Sequence, residues 1–208
     1  MKKLFFLTLF SMFFALSLFA GPFGLKNGMS FEEVTQACGG ISPRRIADDD
    51  RYFISPVKKH SAFETYIAWI NSDYGLYYIK ANGPDIKVNN HGDEIKDRFY
   101  SLLVSLSKNY GEAYVENRLK IEDPLGVHGD DDWRYDFVHG NRDLYAEWTD
   151  FSECKDEIKN EVSGVFLGVK CMDGYNEFYV SVEYELKNND LVEASEDDPL
   201  IYPIRYKK

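Results

Sequence analysis

A chain of 208 residues with 44% apolar and 16% aromatic content holds material for a sizeable core, enough for one domain or two small units packed together. Its 35 acidic residues outnumber 24 Lys and Arg, for a formal charge of −11. That sign argues against a nucleic-acid or anionic-lipid surface, since phosphate recognition draws on clustered cations.

The chain opens with MKKLFFLTLFSMFFALSLFA, residues 1–20, in which Lys2 and Lys3 precede an uncharged run of Leu, Phe and small residues. This is the layout of a secretory signal peptide. The run breaks at Gly21-Pro22, earlier than is comfortable for a membrane span of about 20 apolar residues. Cleavage after Ala20, or after Ser17, is expected to release a periplasmic or secreted chain with no stable membrane anchor; a retained anchor is the alternative. Loss of Lys2 and Lys3 takes the charge to about −13.

The stretch GLKNGMSFEEVTQACGG, residues 24–40, predicts a short helix with marked ends. Ser30 is placed to cap it, Glu33 to complete a capping box, and Met29 with Val34 to staple its entry. Phe31, Val34, Ala37 and Cys38 share a face, and Gly39-Gly40 stops the turn. Three strands follow in a meander: RYFISPV (51–57), FETYIAWI (63–70) and GLYYIKA (75–81), the last two joined by turn residues Asn71 to Gly75. Pro56 confines the first to an edge or ends it.

From Asp93 to Tyr110, Ile95, Phe99, Leu102, Leu103, Leu106 and Tyr110 recur at steps of three and four, which predicts a helix capped by Asn90 or Asp93 and closed by Gly111. Residues 112–142 are polar and aperiodic, an excursion with one short strand expected at 133–138. Strands return at LYAEWT (144–149), EVSGVFLGVKC (161–171) and EFYVSVEYEL (177–186), the last two joined by a Met172-Asp173-Gly174-Tyr175 hairpin turn.

The order predicts an α+β fold: a helix plus a three-stranded antiparallel meander, occurring twice, with the helices packed on one sheet face. One domain over 21–186 is expected, divisible into 24–92 and 93–186, and a diverged internal duplication is one account of the repeat. Residues 187–208 read as a loosely ordered tail in which Ile201, Tyr202 and Ile204 are available to dock.

Three cysteines allow at most one internal disulfide. Cys38 falls on the apolar side of its helix, so Cys154 with Cys171 is the pair expected if one forms, worth about 3 kcal/mol in the chain-entropy model. Free thiols are the equal alternative. Asp48-Asp49-Asp50 and Asp130-Asp131-Asp132 supply carboxylates suited to a hard cation, with Asp130, Asp131 and Asp132 as the candidate ligands, but they lack the alternation of a calcium-binding loop, and a solvated acidic loop is the plainer reading. His60, His91, His128 and His139 are scattered, and no nucleophile elbow or phosphate-binding glycine loop is present. No cofactor is expected.

Tyr66, Tyr77, Tyr145 and Tyr179 are placed opposite the more apolar positions of their strands, rimmed by Glu147, Glu177, Glu183 and Glu185. They form either an exposed aromatic face suited to a protein partner or one covered by the 112–142 segment and the tail. The leading expectation is a non-catalytic module that binds another exported or envelope protein. Its rivals are an exported hydrolase or metal-dependent enzyme assembled from distant carboxylates and histidines such as His128 and His139, and an acidic calcium-responsive surface protein.

GMSFEEVTQACGG resembles the helix entry of exported modules of the SmpA/OmlA type and of the β-lactamase inhibitor protein type, in which short helices lie on a small antiparallel meander and the activity is protein binding. The wider layout, from FGLKNGMSFEEV to YVSVEYELKN, is similar to a family of uncharacterised exported bacterial proteins. The chain departs from the first two in its long 112–142 segment, and from the assembly lipoproteins in having no Cys near the cleavage point. No functional residue carries over.

Overall fold

A computed structural model of the chain describes residues 21–46, 49–120, 133–172 and 177–195. The expected signal peptide with its cleavage points after Ala20 or Ser17, Asp48, His128, the candidate ligands Asp130, Asp131 and Asp132, most of the 172–175 turn, and residues 196–208 lie outside the described residues.

The first helix, α1 (Phe31–Ala37), forms where its caps place it. Glu33 N–H donates to Ser30 Oγ at 3.2 Å, and Ser30 N–H donates back to Glu33 Oε2 at 2.8 Å, so two orphan amides of the first turn are satisfied reciprocally. Just before α1 the backbone is stitched to the sheet: Gly28 N–H donates to Leu76 O and Leu76 N–H to Met29 O, both at 2.8 Å. Val34 and Cys38 are thereby buried against the sheet.

The strands are β1 (Arg44–Arg45), β2 (Arg51–Ile54), β3 (Thr65–Asn71), β4 (Gly75–Asn82), β5 (Ile86–Lys87), β6 (Tyr114–Leu119), β7 (Arg142–Trp148), β8 (Val162–Cys171) and β9 (Glu177–Leu186). They form one antiparallel sheet in the order β1-β2-β3-β4-β9-β8-β7-β6, with β5 continuing the line of β4 along the start of β9. Two meanders, β1 to β4 and β6 to β9, meet along their last strands, where Ile79 pairs with Tyr184 and Ala81 with Val182.

Helix α2 (Asp93–Tyr110) covers the second meander through Ile95, Phe99 and Leu102. Burial of each contributes roughly 2 kcal/mol. Its start is held by Asn89, not by Asn90 or Asp93 as expected: Asp93 N–H donates to Asn89 Oδ1 at 3.2 Å. Both helices lie on the same sheet face, over Ile79, Ala81, Val182, Leu167 and Val165. The fold is α+β, as the order of elements predicts.

Three local expectations are corrected. Residues 133–138 form a helix, α3 (Trp133–Val138), instead of a strand. The reason is the i, i+4 pair Trp133 and Phe137, whose rings stack at 5.0 Å and both meet Phe178. The polar segment after α2 contributes the edge strand β6, paired with β7 along its whole length. Tyr66 points into the core, with Ala68 and Ile70, and leaves Ile67 and Trp69 on the opposite face. Its ring packs edge-on against Phe23 at 4.9 Å, while its hydroxyl donates to His60 O at 3.1 Å and accepts from His60 N–H at 3.0 Å.

Two further short helices follow, α4 (Asp156–Glu161) and α5 (Asn189–Ser195). The start of the expected tail is thus helical, and α5 packs against β4.

Candidate functional site: the helix-free sheet face

Alternation along each strand leaves a second face that carries neither α1 nor α2. One row of side chains crosses it through all eight successive strands. By register it runs Arg44, Phe53, Ile67, Lys80, Glu183, Phe166, Glu147, Tyr114. At the usual spacing between strands it spans about 34 Å. None of the eight is buried, whereas Ile79 and Val182 directly behind the row are inaccessible. Apolar and aromatic groups are therefore interspersed with charges on a partly accessible surface.

The centre of this face is an ionic lattice. Lys80 Nζ meets Glu183 Oε1 at 3.0 Å, and Tyr78 O–H donates to Glu183 Oε2. Burial pushes the Glu183 carboxyl up, but Lys80 and Lys170 together with the hydrogen bonds from Tyr78 and Lys80 outweigh it, and the net shift is below the usual carboxylate range. The Tyr78 phenol is driven well above its usual value by burial, then by the Glu183 charge. Small residues make room for these long side chains. A Cβ at Gly164 would lie 2.8 Å from Glu185 Oε2, and one at Gly168 would touch the Lys170 stem at 3.7 Å.

Toward the β6 edge, Glu116 accepts from Tyr114 O–H at 2.8 Å and from Tyr145 O–H at 2.9 Å, and bridges Arg118 at 3.0 Å. The hydrogen bonds from Tyr114 and Tyr145 hold its carboxyl below the ordinary value. At the β1 edge the charge reverses: Arg44 lies over the Phe53 ring at 5.0 Å, and Arg51 bridges Asp49 at 2.5 Å. The face thus carries charged pairs at its centre and at both edges, with Phe53 and Ile67 on one side of the Lys80–Glu183 pair and Phe166 on the other.

One corner is covered. Val192 of α5 is buried against Tyr77 and Tyr78, with Trp69 and Tyr74 packed beside them. Trp69 and Tyr78 meet edge-on at 4.8 Å.

Of the tyrosines singled out from the sequence, Tyr145 and Tyr179 lie on this face, Tyr77 sits at the β3–β4 irregularity under α5, and Tyr66 is in the core behind it. Glu147, Glu177, Glu183 and Glu185 all share the helix-free side. Sequence reasoning missed Phe53, Ile67, Trp69 and Phe166, which alternate with residues equally apolar and so give no sign of facing outward.

Cys154 and Cys171 lie at opposite ends of the sheet and are not joined by a disulfide. Cys154 Sγ lies 3.5 Å from Tyr110 O at the end of α2, whereas Cys171 pairs with Phe178 beside Trp133, near the start of α2. Eighteen residues of helix, about 27 Å, separate those ends. No group of three or more His, Cys, Asp and Glu side chains converges among the described residues. His60 Nδ1 accepts from Ala62 N–H at 3.1 Å, and His139 is 2.8 Å from Tyr135 O, so each has a local structural bond. No described helix is long and apolar enough to cross a membrane.

The architecture defines a class, an α+β protein with one broad antiparallel sheet clad by helices mainly on one side. Comparison of the chain with protein-family models, curated proteins and solved structures finds no match.

Proposed function

We propose that this is an exported, non-catalytic protein-interaction module that binds another exported or envelope protein through its helix-free sheet face. The observation that carries the reading is the eight-strand row from Arg44 to Tyr114, in which Phe53, Ile67 and Phe166 are half-buried and Tyr114 is exposed, on either side of the Lys80–Glu183 pair. Accessible aromatics within a polar surround are the composition of interface centres. The leader-like residues 1–20 support export, and the resemblance of GMSFEEVTQACGG to protein-binding modules points the same way. The two meanders meeting at β4 and β9, each associated with a helix, further support two diverged copies of one unit.

The test is cross-linked capture from an envelope extract of the native host. A partner is expected to be recovered by the unaltered chain, lost with Ile67→Glu or Phe166→Glu, and kept with Val104→Glu, a change on the exposed flank of α2. Capture that is indifferent to the face variants, or no reproducible partner, refutes the reading.

A further inference from the structure

Strand β6 ends the sheet on one side, and among the described residues no strand pairs with its outer edge. Tyr114, Val115, Asn117 and Arg118 are exposed, so neither face of the edge is roofed over at these positions. Lys120 N–H donates to Asn141 O at 2.6 Å and continues the β6–β7 register without a shift. By the alternation of an antiparallel ladder, the N–H groups of Glu116 and Arg118 therefore point to β7, and those of Val115, Asn117 and Leu119 point outward. An edge with donors and acceptors turned outward is a template for another strand.

The residues of β6 select which strand fits. In an antiparallel pair with its own copy, outward-pointing residues must meet outward-pointing residues, so the registers that overlap most of the strand have a two-fold axis at Glu116, at Asn117 or at Arg118. An axis at Glu116 sets two carboxylates directly opposite each other, and one at Arg118 sets two guanidinium groups opposite; like charges so placed destabilise a sheet. With the axis at Asn117, Glu116 stands opposite Arg118 of the second copy, Val115 opposite Leu119, and Tyr114 opposite Lys120. Charge meets countercharge on the helix-free side, and apolar meets apolar on the other. Within each chain Glu116 already bridges Arg118 at 3.0 Å, and the Arg118 side chain is 72% exposed, so two copies close a ring of alternating charges. Lys120 keeps its 2.8 Å bridge to Asp143.

We propose that two copies of this chain pair antiparallel through β6, about a two-fold axis at Asn117, and continue their sheets into one. Asn117 exchanges both backbone bonds with its counterpart, and Val115 does so with Leu119 on either side of the axis. The axis stands normal to the sheet, so the helix-free faces of both copies lie on the same side and form one surface of twice the width. The pairing is independent of what that face binds.

The experiment is sedimentation velocity of the chain, expressed from its full sequence and purified as the cell leaves it, from micromolar to hundred-micromolar concentration. The expected result is a mass that rises from monomer to dimer and no further, because a two-fold contact closes on itself. Glu116→Arg and Arg118→Glu each set like charges opposite one another and are expected to weaken the dimer about 10-fold or more. Mixed in equal amounts, these two variants present opposite charges at both positions and are expected to pair again. Asn117→Pro removes an outward N–H and leaves the β6–β7 ladder whole, so it is expected to abolish the dimer without altering the melting curve. Glu116 also holds Tyr114 and Tyr145, and if its variant fails to fold, Asn117→Pro decides alone. A chain that stays monomeric throughout, a dimer indifferent to Asn117→Pro, or charge variants that do not recover on mixing overturn the proposal.

Discussion

Replacing Gly75 by Ala tests how the opening segment is fastened to the sheet. Gly75 begins β4 at φ +70°, and a Cβ there would stand 2.3 Å from Gly28 O, 2.6 Å from Gly28 C and 2.8 Å from Met29 O. All three neighbours are backbone, so the clash is relieved only by moving the segment that enters α1. The left-handed conformation costs an L-residue roughly 1–2 kcal/mol. Displacing residues 28–29 also breaks the bonds Gly28 N–H to Leu76 O and Leu76 N–H to Met29 O, about 1 kcal/mol each. The expected loss is about 3–4 kcal/mol, which lowers Tm by about 10 °C for a domain of this size. Gly40→Ala is the control: it stands at φ +85° with nothing within 4 Å of its Cβ, so it bears the conformational term alone, about 1–2 kcal/mol. Calorimetry of the two variants decides the matter. Equal losses would refute the claim that the contact of residues 28–29 with β4 is tight and stabilising.

Glu183→Gln removes the charge that pairs Lys80 and is expected to cost about 1–3 kcal/mol at neutral pH in urea titrations. Because the folded carboxyl is held below its usual value, its contribution is present above the unfolded pKa and is lost as pH falls through the folded one, so the variant should also flatten the acid limb of the stability profile. Burial pushes the Tyr110 phenol up to about 12, and burial also raises Tyr66, Tyr78, Tyr145 and Tyr184. These groups stabilise the fold fully below the ordinary phenol pKa and lose that contribution as pH rises through the folded values. Ultraviolet titration should therefore show a fraction of the tyrosines ionising only with unfolding. Ser30→Ala breaks the capping box and is expected to cost about 1 kcal/mol, with Glu33→Ala adding less than its single effect in the double variant because the two bonds are reciprocal.

Much of the fold is legible where one face is apolar and the other is not. Val165, Leu167 and Val169 on β8 and Phe178, Val180 and Val182 on β9 alternate with small, polar or charged residues except at Phe166 and Tyr179, and the stripe of α2 has a single period. Legibility fails where both faces are apolar. On β3, Ile67 and Trp69 compete with Tyr66, Ala68 and Ile70, and the tyrosine takes a core position in which the His60 backbone supplies partners for its hydroxyl. The sequence alone does not show that a backbone segment six residues away is waiting for it. Six residues at 133–138 are too few to separate a helical from an extended period. On β6, Tyr114 and Val115 are both exposed, so an edge strand presents no alternation to read. The candidate surface inherits this blindness, since Phe53 and Phe166 become a site only when β4 and β9 bring the two meanders side by side.

That seam has a temporal meaning. Tyr78 pairs with Glu185, more than a hundred positions later in the chain, so the innermost pairing of the sheet closes last in synthesis. Until β9 is made, β4 offers an open hydrogen-bonding edge and α2 has no β8 or β9 to shelter its apolar stripe. Contacts of such long sequence separation slow folding, because the ends of a long loop must meet before any of them forms. A chain built this way stays unfinished until β9 is available, which suits the export proposed above, where it would cross a membrane unfolded and fold on the far side.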